Sequence, residues 1–119
     1  MIYNEAVAHV VRGIDLGLYG GTYSTHGASV PTDGFWVGGV GETIRVEPDH
    51  DREHLAYLVQ SVIVSTQAEW IGYWMEAETS LYHLDGCSWT DDVDLAAKWA
   101  KDRGELAFHS IRSGTDLWV

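Results

Sequence analysis

A chain of 119 residues, 45% of them apolar and with six Trp and six Tyr, has enough buriable area for one hydrophobic core and too little length for two independent ones. Eighteen Asp and Glu against seven Lys and Arg leave a formal charge of −11, which repels phosphate backbones and anionic membrane surfaces and favours basic partners. Direct nucleic-acid binding is therefore disfavoured. No run approaches the roughly 20 apolar residues of a membrane span, and the lone Cys87 excludes an internal disulfide.

The opening stretch MIYNEAVAHVVRG lacks a basic segment followed by a long apolar run, so a soluble cytoplasmic protein is expected. Residues 5–11 fit a short N-terminal helix capped by Asn4 and stopped at Gly13. Strands are expected at 21–25, 35–40 and 43–47, with Pro31-Thr32-Asp33-Gly34 as a turn ahead of the second. An amphipathic helix follows at about 50–65. Asp49 is placed to cap it, Asp51 and Glu53 favour its first turn, and Leu55, Leu58, Val59, Val62 and Ile63 recur at helical spacing. Residues 70–76 and 81–84 read as a hairpin through 77–80, and His83-Leu84-Asp85-Gly86-Cys87 as a strand running into a turn.

A second helix is expected at about 91–103, capped by Thr90. Asp91, Asp92 and Asp94 fill its first turn, Lys98, Lys101 and Arg103 its last, and Gly104 is its left-handed stop. Val93, Ala96, Ala97 and Ala100 form a narrow face suited to close packing on a sheet. Strands at 106–111 and 117–119, joined through Ser113-Gly114, close the chain. Strands clustered between helices imply a single α+β domain over 1–119, a mainly antiparallel sheet with the two main helices on one face. Trp70, Tyr73 and Trp74 belong to one strand and are expected in the core, whereas Trp36, Trp89 and Trp118 lie near turns or ends and are expected to be partly exposed.

Several stretches contain residue types used in catalysis. His50-x-x-Glu53-His54 matches the HxxEH pattern of inverted zinc peptidases, with His50 and His54 as ligands and Glu53 as base. A third ligand is needed, and no spacing selects one among Glu69, Glu76, Glu78, His83 and Asp85, so the stretch is read first as a charged helix start. His83 and Cys87, if extended, are roughly 13 Å apart, too far for a nucleophile and its base. Gly38-Gly39-Val40-Gly41 precedes a strand and lacks the residues of a phosphate loop, which makes it a bulge or tight hairpin. Ser24, Thr25, His26 and Asp33 have the types of a triad without a nucleophile elbow, so loop hydrogen bonding is expected. No catalytic residue and no cofactor is assigned.

Three stretches carry a resemblance. Tyr19-Gly20-Gly21-Thr22-Tyr23 with Pro31-Thr32-Asp33-Gly34-Phe35-Trp36-Val37, then Ile71-Gly72-Tyr73-Trp74, then Leu84-Asp85 with Asp94-Leu95-Ala96 and Gly104-Glu105-Leu106-Ala107-Phe108 resemble small accessory proteins of actinobacterial phages and conjugative elements. The likeness spans about residues 19–119, departs at Ser110 where Asp or Asn is frequent, and transfers no catalytic residue. It implies an accessory gene whose acidic product binds and inhibits host machinery. The expectation is therefore a non-enzymatic protein that mimics nucleic-acid charge and engages a basic surface on a host nucleic-acid-binding defence protein of the CRISPR or restriction type. Glu47, Asp49, Asp51, Glu53, Asp91, Asp92 and Asp94 would supply the contact, and Trp89 an anchor. The alternatives are the zinc hydrolase and a homodimeric structural protein.

Overall fold

The computed structural model describes residues 4–47 and 51–119. In chain order the elements are α1 (Asn4–Asp15), β1 (Gly20–Ser24), β2 (Phe35–Val46), α2 (Arg52–Thr66), β3 (Trp70–Met75), β4 (Tyr82–Thr90), α3 (Val93–Asp102), β5 (Ala107–Ser110) and β6 (Thr115–Trp118). The strands form one antiparallel sheet in the order β1-β3-β4-β2-β5-β6. It is the expected α+β domain.

Side chains alternate along a strand, and the register sorts them. Tyr82 and Leu84 of β4 share a core with Ile71 and Tyr73 of β3 and with Val46 of β2. Leu55, Val59, Val62 and Ile63 of α2 and Ala6, Val10, Val11 and Ile14 of α1 cover it. On the same sheet face farther along, Val37 and Phe108 receive Ala96 and Ala100 of α3. All three helices therefore lie on one face. Small side chains at Ala96 and Ala100 let α3 approach closely, whereas Val93, expected beside them, is exposed.

The helix starts differ in detail from expectation. Asp51, not Asp49, caps α2, its carboxylate accepting from the Glu53 N–H at 3.2 Å; Asp49 lies outside the described residues. Asp92, not Thr90, caps α3 and accepts from Asp94 and Leu95. Thr90 is still the last residue of β4, where its hydroxyl accepts from the Asp92 N–H. Gly104 does take a left-handed φ of +73° after α3.

The strands at 35–40 and 43–47 are one. Gly39 and Gly41 adopt positive φ inside β2, and extra residues bulge out between Val37 and Val40 and again between Val40 and Ile44 while pairing with β4 continues. Nor does the chain turn after Leu84. Gly86 continues β4 because β2 and the end of α2 crowd it: a Cβ there would lie 2.7 Å from Ala68 Cβ and 2.9 Å from the Val40 carbonyl. Trp36, expected to be partly exposed, is buried against Trp70 with ring centroids 4.8 Å apart, and the two indoles close over Cys87 between them. Trp74, expected in the core, is 47% exposed on the face without helices.

Helix α1 runs through Gly13 to Asp15. Glycine is needed there because the ring of Tyr73 abuts the helix, and a Cβ at Gly13 would overlap its hydroxyl. Tyr73 is itself held between Tyr23 and Tyr82, so it has nowhere to retreat. On a free helix surface Gly→Ala stabilises by about 1 kcal/mol. Gly13→Ala is expected to do the opposite and lower stability by about 1–3 kcal/mol through overpacking, measured as a fall in the urea midpoint; a rise would show that α1 does not rest on Tyr73.

Candidate functional site

The acidic residues do not form one surface. Val46 pairs with Tyr82 and Phe35 with Thr90, so β2 delivers the chain to α2 at one end of the sheet and β4 delivers it to α3 at the other. The nine residues of β4 lie between, and their eight steps of about 3.3 Å make roughly 26 Å. Asp91, Asp92, Asp94 and Trp89 belong to the second end. There Trp89 is only partly exposed, its indole N–H donating to the Asp33 carbonyl at 2.9 Å, and Asp33 pairs with Arg112.

The first end gathers more. Glu47 leaves β2, Asp51 and Glu53 open α2, and the β3–β4 turn brings Glu76 and Glu78, because Met75 also pairs with Tyr82. Glu76 accepts from Thr79 at 3.0 Å and meets His83 at 3.0 Å, contacts that hold its carboxyl below the usual range. Arg52 at this end is taken by Asp15 from the end of α1. Beside the carboxylates lie exposed apolar groups: Leu18, whose carbonyl accepts from the Tyr82 hydroxyl, Tyr19, whose carbonyl accepts from the Met75 N–H, and Trp74, which stacks on His83 at 4.1 Å. Only a hairpin closing on β2 at this register assembles the group, and no local pattern shows it.

The face without helices carries a row along β4 of His83, Asp85, Cys87 and Trp89. Asp85 is 6% exposed and lies between two glycines. Gly72 faces it from β3, where a Cβ would meet Cys87 Sγ at 2.8 Å, and Gly38 faces it from the β2 bulge. Its carboxylate accepts from the Gly39 N–H at 3.0 Å, and Glu105 also approaches Gly38. Arg103 braces the same bulge, donating to the Val37 and Gly38 carbonyls and to Ser88. Burial, reinforced by Glu105, pushes the Asp85 carboxyl up to about 6 in spite of the Gly39 bond and Arg103. Burial likewise drives the Cys87 thiol well above its ordinary value, with Asp85 adding to the effect. A buried, protonated thiol is not a nucleophile.

Of the stretches with catalytic residue types, His54 is on the exposed side of α2 and its ring stacks on Tyr57, while His50 lies outside the described residues. Among the described residues no three His, Cys, Asp or Glu are grouped to hold a metal. His83 contacts Glu76, not Cys87. The Thr25 hydroxyl is buried and donates to the Ala68 and Glu69 carbonyls, which ties the loop to the start of β3, and Ser24 accepts from the His26 and Ala28 N–H groups. No protein-family profile matches the chain, and neither a curated protein nor a solved structure does.

Asp85 has a consequence for stability. Its folded value lies above the ordinary 3.8, so the folded chain holds the proton more tightly than the unfolded one. That stabilisation is complete below about pH 4 and is lost as pH rises through about 6, a change of about 3 kcal/mol. Asp85→Asn, whose amide oxygen can accept from Gly39 and which has no charge to bury, is expected to raise stability at pH 7.5 and flatten the pH 4–6 segment of urea midpoints. An unchanged slope would assign it to other groups.

Proposed function

We propose that this chain acts by binding a basic protein surface, and that the end carrying Glu47, Asp51, Glu53 and Glu78 makes the contact. The observation behind this reading is the register Val46–Tyr82–Met75, which sets those carboxylates beside the exposed Leu18, Tyr19 and Trp74. A charged rim around aromatic and aliphatic anchors suits a protein interface: the anchors supply contact energy, and the carboxylates supply steering and discrimination. The net charge of −11 excludes most acidic partners and favours one whose own ligand is a polyanion. A nucleic-acid-binding protein fits, and the carboxylates would then occupy the place of phosphates. Together with the likeness to phage and conjugative-element proteins, this points to an accessory inhibitor of a host defence protein, of the anti-CRISPR or anti-restriction kind. The acidic start of α3, roughly 26 Å away, would reach only a partner large enough to span the sheet.

Displacement from DNA tests the reading. Proteins of an actinobacterial lysate are loaded on immobilised duplex DNA and eluted with the purified chain at low salt. Elution of one or a few proteins is expected, weakening as salt is raised. Glu47→Gln, Asp51→Asn, Glu53→Gln and Glu78→Gln combined should reduce the effect by roughly tenfold or more. Asp91→Asn, Asp92→Asn and Asp94→Asn combined should leave it largely intact, and Asn keeps both helix caps. Elution of nothing, or equal loss in both variants, would remove the proposal.

A further inference from the structure

A chain of −11 meets a difficulty that a basic partner does not share, because any contact between two copies must keep their carboxylates apart. The outer side of α2 beyond its first turn meets that condition. Residues 54–67 contain no Asp, Glu, Lys or Arg, although they form most of a helix whose outer side faces solvent. A surface helix ordinarily places charges there. Instead α2 presents Tyr57, 65% exposed, and Val64, 49% exposed, along a shallow groove of about 360 Å³ completed by Gln60, Ser61 and Ser65.

We propose that the outer face of α2 is where two copies of this chain meet, the helices antiparallel about a two-fold axis near Ser61. The groove is complementary to itself in that arrangement. Tyr57 lies four residues before Ser61 and Ser65 four after, so the large side chain of each copy falls over the small one of the other. The Ser61 hydroxyl turns back to the Tyr57 carbonyl at 2.8 Å, which leaves no unpaired donor at the axis. Glu53, one turn before Tyr57, lies at the edge of the contact, and the rest of the acidic end and the exposed β6 hairpin stay outside it. A 15-residue helix is about 22 Å long, so one helix pair covers less than the roughly 800 Å² per partner of a standard interface. The pairing is weak and depends on concentration. It does not rest on the basic-partner reading and has the opposite salt dependence: salt screens repulsion between two copies and strengthens their contact, but weakens attraction to a basic surface.

Sedimentation equilibrium of the whole chain from about 10 µM to about 1 mM, at low and high salt, tests this. The average mass is expected to climb from 13.2 kDa towards twice that value, and further at high salt. Ser61→Glu sets two carboxylates together at the axis and should weaken association at least tenfold; Tyr57→Ala should weaken it without adding charge. Trp118→Ser, on the other exposed apolar element, should leave it unchanged. A monomer under every condition, a dimer that persists in both α2 variants, or one that salt disperses would overturn the proposal.

Discussion

Strand β4 is hydrogen-bonded to β3 on one side and to β2 on the other along nearly its whole length. Once it lies between those neighbours, alternation leaves its side chains no freedom. Tyr82 and Leu84 must enter the core under α1 and α2, and His83, Asp85 and Cys87 must face the other way. A slip of one residue would bury His83 and Asp85 among Leu and Ile and expose Tyr82. The same pairing fixes where the helices begin, since β2 and β4 run in opposite directions and each hands the chain to a helix at its own end. Core composition, the faces of the sheet and the separation of the two acidic starts thus share one physical origin.

The raised carboxyl of Asp85 follows from this frame. Asp85 is buried because its strand is central, and it is tolerated because Gly72 and Gly38 leave room and Gly39 supplies an N–H. It ties the irregular middle of β2 to the regular middle of β4, while Arg103 ties that bulge to the end of α3. A raised carboxyl next to a thiol and a second carboxylate is a combination often sought in active sites. Here both Asp85 and Cys87 are shut from solvent, and the cluster works as a clasp on the bulge.

The surface divides into regions of different character. The end where the β3–β4 turn meets the start of α2 carries dense charge around exposed aromatic groups, whereas the outer face of α2 beyond its first turn has no formal charge. A molecule this acidic can use the first only against something basic and the second only against something that is not. Burial in the fold does not require either feature: Trp74 and Tyr57 point away from the core that their neighbours Tyr73 and Leu58 help to form.

Much of this was legible in the chain. The α+β class, α3 and its Gly104 stop, α2 apart from its first residues, the two closing turns and the bulge at Gly38–Gly41 all follow from local patterns: helical spacing, acidic first turns and glycine runs. Local patterns misled where a neighbour decides. Gly13 looked like a stop and is a point of contact with Tyr73. Asp85-Gly86 looked like a turn and is mid-strand, because Gly86 is small for the sake of Val40 and Ala68. Trp36 looked exposed and is covered by Trp70. By itself the sequence determined the elements and the total charge, since propensity, capping and composition act within a few residues. Only the tertiary structure decided which carboxylates share an end of the sheet, because that depends on strand direction and register, which set Glu47 and Glu78 at one end and Asp91 at the other, the length of a strand away.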